Sequence, residues 1–469
     1  MIAASDLAPS YDLVVIGGGP AGLAAASLAA RAGVSTVLFD ENPGIGGQIY
    51  RAITTTPVAD RSILGEDYWA GAELAAEARA SGALIVNGAT VWSLDPQKIV
   101  GVSIAGKARM IEAKRVIIAT GSQERPFPIP GWTLPGVMTA GGAQTALKAQ
   151  GLVPSGRTVM AGSGPLLWLL AAQTLRAGGR IDAILDTTPW RNWLQALVHL
   201  PDFALSPYFA KGLALLREVK AKVPVHRVDK IEAVGKEKLG QVVFASGGRE
   251  RRLPADLLLL HQGVVPNVNL ANAAGVAHLW NDRQLCFVPV LDADFGSSVP
   301  GIAVAGDGAG IAGGTAAAER GRIAAIAAVR ALRPEATLPD TQTIRQKLQR
   351  EEMGRAFLDW LNRPAESFRR PEGETLACRC EEVTAEQVRD MARIGCEGPN
   401  QMKAFLRCGM GPCQGRLCGL TVTELIAAER KMTPAEVGYY RLRPPMKPIT
   451  LAELASLPIS EAERKAVER

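Results

Sequence analysis

The sequence predicts an α/β protein with two Rossmann-like dinucleotide-binding folds and a small helical C-terminal domain that contains most of the cysteines. Two observations lead to this prediction. A strand, a glycine-rich turn and a helix occur in that order around Gly17, and the same pattern returns about 145 positions later. Six of the seven cysteines lie between Cys378 and Cys418, far from both turns. The disulfides of a secreted protein would be scattered more widely, so the cluster predicts a metal site in a reducing compartment.

The composition argues against several classes of protein. The 469 residues carry a formal net charge of only +6 and no basic run interleaved with aromatics, so nucleic acid is not an expected partner. A secretory signal has a positively charged region followed by an apolar core, and the first ten residues lack this pattern. No apolar stretch approaches the roughly 20 residues that a membrane-spanning helix needs. We therefore expect a cytoplasmic protein, which a partner could still hold at a membrane.

The first repeat has the spacing of a dinucleotide site. We predict a strand at Leu13–Ile16, a helix at Leu23–Ala32 and a strand at Thr36–Phe39. The first glycine of the G-x-G-x-x-G turn permits the bend, the second lets the backbone approach a pyrophosphate, and the third lets the helix pack on the strand. A ribose-binding acid is expected about 20 positions further on. The candidate cofactor-binding residues are Gly17, Gly19, Pro20, Ala21, Gly22 and either Asp40 or Glu41. The competing interpretation is a glycine turn that binds nothing.

The second repeat departs from this pattern. The turn Gly162–Gly164 follows a predicted strand, but Leu167 stands where the third glycine belongs, so the helix has to stand off from the strand. Asp186 still occupies the place of a ribose-binding acid. The repeat therefore predicts either a nicotinamide site or a fold that has lost one.

Two further segments are Ala119–Gly121, which lies between the two repeats, and Val304–Asp307, which follows the second. They resemble the signatures of the flavoproteins with two dinucleotide-binding domains, the superfamily of the disulfide reductases of the glutathione reductase type and the thioredoxin reductases. In that superfamily one segment closes over the nucleotide, and the aspartate of the other bonds the ribityl chain of the flavin. The resemblance implies an FAD site that includes Ala119, Thr120, Gly121, Gly306 and Asp307. A helix N-cap is the other interpretation of the aspartate.

Redox-active members of that superfamily place two cysteines beside the flavin. No cysteine precedes Cys286 here, so dithiol chemistry at the flavin is excluded, and this residue is expected to be a buried small hydrophobe.

The cysteine cluster predicts a site with four thiolates. Alternate residues of an extended chain point the same way, so Cys378 and Cys380 can present two thiolates together. The glycines and proline around Cys413 predict a turn that brings its thiolate and that of Cys418 to the same place. Four thiolates suit a [2Fe–2S] cluster and also structural zinc, although zinc sites usually have C-x2-4-C pairs at both ends.

Three stretches together resemble one group of enzymes: GGQIYR at Gly46–Arg51, CRCEEVT from Cys378, and RCGMGPCQGRLCG from Arg407. The group comprises the A or α subunits of heteromeric FAD-dependent amine dehydrogenases. Its members include the A subunit of opine oxidase, the B subunit of hydrogen cyanide synthase and the α subunit of hydroxyproline or proline dehydrogenases. The resemblance covers residues 10–455 and adds Gly47 and Gln48 to the expected cofactor site.

The cysteine domain is itself similar to bacterioferritin-associated ferredoxin. This resemblance implies that the ligands of a [2Fe–2S] cluster are Cys378, Cys380, Cys413 and Cys418. It gives Cys408 no required counterpart, and Cys396 is likewise expected to be structural.

The resemblance also implies cofactors and partners. FAD is expected in the first fold, where some relatives hold NAD or ATP, and a second flavin, FMN, can lie at the interface with a partner. The partner is a β subunit of the amino-acid-oxidase flavoprotein type, and a small third iron–sulfur subunit can be present. The β subunit oxidises a secondary amine or amino acid, of the opine, proline, hydroxyproline or glycine type, to an imine. The expected role of this chain is then electron transfer, and no catalytic residue is assigned in it.

Two other hypotheses compete with this one. A self-contained NAD(P)H-dependent flavoprotein reductase would reduce its own cluster, but Leu167 argues against a working nicotinamide turn. An inactive flavin fold that only carries the cysteine domain is disfavoured by the intact first turn and by Asp307. Among the four histidines, His261 is expected to come nearest to a nucleotide, and a structural role is expected for it.

The expected domains are an FAD-binding domain formed by residues 1–125 and 266–335, an NAD(P)-like domain at 126–265, a connector at 336–372, the [2Fe–2S] domain at 373–432 and a tail at 433–469. The proline-containing tail is expected to wrap over a surface. The aromatic segment Trp190–Phe209 is expected either to pack over the second domain or to dock a partner or membrane.

Overall fold

The computed structural model describes residues 2–459 and 461–467 and confirms the α/β class. Its strands are β1 (Ser10–Ile16), β2 (Thr36–Asp40), β3 (Leu84–Asn87), β4 (Ala89–Leu94), β5 (Ile99–Ile104), β6 (Lys107–Ile118), β7 (Ser122–Glu124), β8 (Val137–Thr139), β9 (Thr158–Ser163), β10 (Ala183–Asp186), β11 (Val225–Arg227), β12 (Lys230–Gly235), β13 (Leu239–Ser246), β14 (Arg249–Pro254), β15 (Leu257–Gln262), β16 (Val264–Pro266), β17 (His278–Asn281), β18 (Cys286–Pro289), β19 (Ile302–Val304), β20 (Leu376–Cys378) and β21 (Val383–Thr384).

The α-helices of the described chain are α1 (Pro20–Arg31), α2 (Arg61–Leu64), α3 (Glu66–Trp69), α4 (Gly71–Arg79), α5 (Ala140–Gln150), α6 (Pro165–Arg176), α7 (Asn192–Ala196), α8 (Leu200–Ala204), α9 (Tyr208–Lys220), α10 (Asn269–Ala273), α11 (Gly314–Leu332), α12 (Thr341–Glu352), α13 (Arg355–Leu361), α14 (Ala385–Arg393), α15 (Pro399–Leu406), α16 (Gly419–Arg430), α17 (Pro434–Val437), α18 (Leu451–Ala455) and α19 (Glu461–Val467). Short 3-10 turns lie at Ala4–Asp6, Leu197–His199, Gly306–Ala309 and Glu366–Phe368.

The first sheet has seven strands in the order β3–β2–β1–β6–β5–β4, and β19 also pairs with β6. The strands β3, β2, β1 and β6 are parallel, whereas β5 and β4 return antiparallel beside β6. The late strand β19 lies parallel to β6 with Ile302 opposite Val116, so its following loop reaches the same edge as the first glycine turn. In open α/β sheets this carboxyl edge is where nucleotides bind.

The second sheet is fully parallel, in the order β11–β10–β9–β15–β8. The antiparallel sheet β12–β13–β14 lies beside it. The chain crosses between the two folds through β7 and β16, which pair antiparallel. Two open α/β folds therefore follow the two glycine turns, as the repeat predicts.

The cysteine region, residues 373–432, packs on the first fold. Its helix α14 begins with a capping box, in which Thr384 accepts from the Gln387 amide and the Gln387 side chain accepts from the Thr384 amide. The buried apolar side chains of this region and of the first sheet form one continuous cluster. An ion pair between Arg369 and the buried Glu424 ties the preceding connector to α16.

The tail does cover the first fold, where the Met446 amide donates to the Trp92 carbonyl at 2.7 Å. Residues 440–446 do more than wrap over a surface, because Tyr440, Leu442 and Met446 are buried in the shared cluster. A proline-containing segment carries no periodic pattern that would have shown this.

The aromatic segment at 190–209 packs on the connector rather than over the second sheet. The rings of Phe203 and Phe357 stack with centroids 4.3 Å apart, and α7 lies against α13. Trp190, Val198 and Leu205 on the same segment remain exposed. In the described residues no helix combines the length and apolarity that crossing a membrane requires.

Candidate functional site

The first glycine turn has the geometry that its spacing predicts. Gly17 has a φ of +109°, and a Cβ there would lie 2.4 Å from the Ala119 carbonyl oxygen. A Cβ on Gly22 would lie 1.8 Å from the Gly17 carbonyl oxygen, so only glycine lets α1 start this close to β1. Gly19 precedes Pro20 as the N-cap and has no side chain to cap the helix. The first amide groups of α1 are thus available to an anion.

The structure distinguishes the two candidate acids. Asp40 is buried, and its Oδ2 accepts from the Gly18 amide at 2.5 Å. Glu41 points away, is exposed, and pairs with Lys447 of the tail at 2.6 Å. Consecutive residues at a strand end face opposite sides, so only one can face the turn. Asp40 is therefore our candidate for the ribose contact.

The segment Gly46–Arg51 packs against the first turn. The Gly46 amide donates to the Gly18 carbonyl at 2.8 Å, and a Cβ on Gly47 would lie 2.8 Å from the Gly19 Cα. Gln48 next to them is exposed, so its amide is accessible beside the turn. The Arg51 Nε is buried without a hydrogen-bond partner among the described residues. This arrangement suits a ligand that would occupy the turn.

The two short signatures meet at the same edge. Gly121 has a φ of +65°, and its carbonyl accepts from the Asn267 amide at 2.9 Å. The Oδ1 of Asp307 accepts from the Ala312 and Gly313 amides at 3.0 and 3.1 Å, which orders the loop before α11. The N-cap of α11 is Gly313, so Asp307 is not the helix cap that was the alternative interpretation.

Close packing of glycines holds this edge together. A Cβ on Gly306 would lie 2.7 Å from the Ala21 Cβ, and one on Gly321 in α11 would lie 2.1 Å from the Ala21 carbonyl oxygen. Helices α1 and α11 can touch only because these positions lack side chains. The structure thus brings every cofactor candidate of the first fold to one edge of one sheet, with Glu41 alone facing away.

The second turn differs in ways that matter for a nucleotide. Leu167 is fully buried in the apolar core of the second fold. The carboxyl end of β15 carries a buried network in which Ser163 and Thr187 hydrogen bond the side chain of Gln262. His261 is also buried there, with its Nδ1 3.2 Å from a carboxylate oxygen of Glu124. These contacts support a structural role for His261.

A buried lysine joins the two folds. The Nζ of Lys148 in α5 donates to the carbonyls of Gln48 and Ile49 at 3.2 and 2.9 Å and to the Gln144 side chain at 3.0 Å. Burial, with the charge of Arg51 nearby, lowers the pKa of Lys148 to about 7. Sequence patterns do not indicate this contact, since a lone lysine in a helix is ordinarily a surface residue.

We expect Lys148→Met to flatten the dependence of stability on pH. The unfolded chain keeps the lysine charged up to about pH 10.5, whereas the folded protein releases the proton near 7. Between these values the unfolded state binds more protons, so the free energy of unfolding rises with pH, by up to about 1.4 kcal/mol per unit. Unfolding followed from pH 7 to 9.5 measures the slope. The exposed Lys107→Met is the control, and an unchanged slope in Lys148→Met would refute the assignment.

The cysteine region brings the two cysteine pairs face to face. Hydrogen bonds from the thiols of Cys408 and Cys418 hold the pKa of Cys378 far below its usual value. Burial and the neighbouring thiol of Cys413 raise the pKa of Cys380. Each cysteine of the C-x-C pair thus lies beside one cysteine of the C-x4-C pair. The described residues contain no set of three or more His, Cys, Asp or Glu side chains placed as ligands of a single ion.

The donor set nevertheless suits an iron–sulfur group. The sulfurs of all the cysteines in this region are free thiols. The loop can close on the C-x-C pair because Gly411 has no side chain, and a Cβ there would lie 2.4 Å from the Cys380 Cβ. Cys408, to which the resemblance assigns no ligand role, is buried beside Cys378. Cys396 is buried too, with its sulfur 3.5 Å from the Gly398 carbonyl oxygen. The lone Cys286 is buried as predicted, and burial raises its pKa.

The cysteine loop is attached to the edge that carries the nucleotide signatures. Gln123 Nε2 donates to the Arg416 carbonyl at 2.8 Å, and Asn269 Nδ2 donates to the Gln414 carbonyl at 2.8 Å. Gln123 follows Gly121 by two residues, and Asn269 follows Asn267 by two. The loop that contains Cys413 and Cys418 is therefore hydrogen-bonded to the segments that flank the nucleotide edge.

Comparison with known proteins places this chain in a family. The A subunit of opine oxidase from Agrobacterium tumefaciens (strain Ach5) is 50% identical over 99% of this chain and 95% of its own length. The chain belongs to the family of opine oxidase A subunits. The corresponding opine oxidase chain from Rhizobium meliloti is 49% identical over 99% of this chain and 91% of its own. The HcnB chain of hydrogen cyanide synthase from Pseudomonas aeruginosa is 33% identical over 95% of this chain and 98% of its own.

Two family descriptions divide the chain between them. Residues 11–331 match the pyridine nucleotide-disulphide oxidoreductase family, so the chain is an oxidoreductase by family, and residues 373–457 match the sarcosine oxidase A3 domain. The second match includes the part of the tail that is buried against the cysteines.

Solved structures agree on the fold. L-proline dehydrogenase from P. horikoshii superposes with a TM-score of 0.72 at 19% identity and covers 95% of this chain and 79% of its own. Thioredoxin reductase from T. acidophilum superposes with a TM-score of 0.51 at 20% identity and covers 69% of this chain and 99% of its own. Both likenesses concern the fold, and they confirm the prediction of two dinucleotide-binding folds.

Proposed function

We propose that this chain is the flavin- and iron–sulfur-containing electron-transfer component of a heteromeric amine dehydrogenase or oxidase. The observation that carries the proposal is the attachment of the cysteine loop to the nucleotide edge through Gln123 and Asn269. Two redox groups held at these places would be neighbours within one chain. Its relatives are named as the A subunit of opine oxidase and the HcnB chain of hydrogen cyanide synthase, which supports a role as one of several subunits.

FAD is the proposed nucleotide of the first fold, with NAD or ATP as the alternatives. Gly17, Gly19 and the start of α1 at Pro20 would hold its pyrophosphate, Asp40 a ribose, and Asp307 the ribityl chain. Cys378, Cys380, Cys413 and Cys418 would hold a [2Fe–2S] cluster. A bound flavin accepts two electrons together and releases them singly, as a cluster requires.

A β subunit of the amino-acid-oxidase flavoprotein type is the proposed partner, together with a small third iron–sulfur subunit. In this assignment the β subunit converts a secondary amine or amino acid to an imine, and this chain carries the electrons away. An opine is the substrate that the names of the two opine oxidase relatives favour, and proline, hydroxyproline, glycine and sarcosine are the alternatives. No residue of this chain is assigned a role in breaking the C–H bond of the substrate.

FMN at the interface with the partner is the proposed second flavin. A cavity of about 360 Å³ opens beside the loop that follows Asp307. It is lined by Arg283, Arg320 and Arg355, of which the first and last pair with Asp359 and the second with Glu352, so the phosphate of a mononucleotide would have to displace these carboxylates. A second cavity of about 390 Å³ lies behind α1, away from the glycine turn, and its charged groups are paired with one another.

Native co-purification tests the proposal. The chain isolated from its own cells should carry an amino-acid-oxidase-type flavoprotein in near-equal amount, identified by mass spectrometry. Recovery of the chain alone, with a flavin that NADH bleaches and a cluster that NADH reduces, would establish the self-contained reductase instead. The buried Leu167 and the network around Gln262 make us expect that NADH leaves the flavin oxidised.

A further inference from the structure

The tail brings a tyrosine hydroxyl to the candidate cluster. Tyr440 is fully buried, and its hydroxyl oxygen lies 3.6 Å from the sulfur of Cys418, within hydrogen-bond range for sulfur. Tyr440 comes from residues beyond α17, so it reaches the cysteine loop only because the tail folds back across it.

The loop is shaped to receive this ring. A Cβ on Gly409 would lie 2.6 Å from Tyr440 Cζ, and one on Gly415 would lie 2.7 Å from its Cδ2. Both glycines have positive φ, at +85° and +78°. The Nζ of Lys403 lies 5.0 Å from the ring centroid and donates to the Arg441 carbonyl at 2.9 Å. The ring is thus held on several sides, and the hydroxyl has little freedom to turn from Cys418.

A hydroxyl at this distance has one way to interact with a metal-bound thiolate. A thiolate carries no proton, so the tyrosine must be the donor and the sulfur the acceptor. Reducing an iron–sulfur cluster adds negative charge, part of which resides on the ligand sulfurs. A hydrogen bond to sulfur stabilises the more negative form, and such bonds are among the factors that set cluster potentials.

We propose that Tyr440 is a positioning residue that raises the reduction potential of the centre held by Cys418, through a hydrogen bond from its hydroxyl to the Cys418 sulfur. This inference rests on the proposed iron–sulfur function. The tail thereby becomes part of the redox centre. It helps to decide how readily that centre takes electrons from the neighbouring flavin.

The test is Tyr440→Phe in the full chain with its partners present. The phenylalanine keeps the ring between the two glycines and removes only the hydroxyl. Redox titration monitored by EPR should show a more negative midpoint potential. At a fixed solution potential near the midpoint, the ratio of reduced to oxidised centre should fall about tenfold. For a one-electron centre this change corresponds to a shift of about 59 mV in the midpoint potential. Pulsed EPR after exchange into deuterated water should show that an exchangeable proton near the centre is lost.

The adjacent tyrosine provides a matched control. Tyr439 donates its hydroxyl to the Gly415 carbonyl at 3.4 Å, so Tyr439→Phe should leave the potential as in the wild type. A wild-type protein without any iron–sulfur signal would overturn the proposed function itself. A wild-type cluster whose potential is unchanged in Tyr440→Phe, at equal iron content, would overturn only the role of the tyrosine.

Discussion

Replacing Cys413 or Cys418 by alanine is expected to abolish the iron–sulfur centre while leaving the flavin in place. Each of these cysteines lies beside one member of the C-x-C pair, so either change leaves three thiolates where the cluster needs four. Iron and acid-labile sulfide should fall by about two of each per copy of this chain. The measurements are metal analysis, visible absorption and EPR of the purified complex.

The chain offers internal controls for this experiment. Cys396→Ala and Cys408→Ala should retain iron, since the resemblance to ferredoxin assigns neither as a ligand. Cys408 is the sharper control, because it is buried beside Cys378. Wild-type content of flavin in every variant would show that the first fold is intact. Zinc in place of iron in the wild type, or iron retained in Cys418→Ala, would contradict the assignment.

The parts of the fold that sequence predicted are those that local chemistry determines. Gly17 and Gly22 have to be glycines because a Cβ at either position would lie within 2.4 Å of a backbone carbonyl oxygen. Such constraints show directly in the spacing of residues. The capping box at Thr384 is equally local, because it depends only on the threonine and on Gln387 three positions further on. Choosing between Asp40 and Glu41 needed the structure, since spacing alone does not say which of two consecutive side chains faces the turn.

The features that sequence missed depend on contacts between distant segments. Tyr440 joins the cysteine loop from a tail without periodicity, and Lys148 crosses from one fold to the other. Gln123 and Asn269 acquire their importance only from the carbonyls they bind in the cysteine loop. The sequence did offer one signal for the packing of Tyr440, namely the glycines at 409 and 415. Both adopt a positive φ in the structure, and the tyrosine ring packs where their side chains would be.

Gly19→Ala is expected to weaken binding of the nucleotide at least tenfold, or about 1.4 kcal/mol, without harming the fold. Gly19 has extended backbone angles that alanine adopts, and the nearest atom to a new Cβ is the Gly47 Cα at 3.8 Å. The methyl group therefore meets no protein atom closely, yet it projects at the helix start where a pyrophosphate must approach the backbone. Nucleotide released by denaturation identifies the ligand, and titration of stripped protein with FAD gives the affinity.

Substitutions at two other glycines serve as controls for this experiment. Gly44→Ala lies outside the turn, with no protein atom within 4 Å of its Cβ, and should bind FAD as the wild type does. Gly17→Ala would place its Cβ 2.4 Å from the Ala119 carbonyl, so its loss of FAD would report distortion of the turn. Only Gly19→Ala separates a blocked approach of the pyrophosphate from a distorted turn as the cause of weaker binding. If the Gly19→Ala variant folds and binds FAD as tightly as the wild type, the pyrophosphate does not lie on this turn. The proposed path of electrons from the first fold to the cysteines would then be wrong.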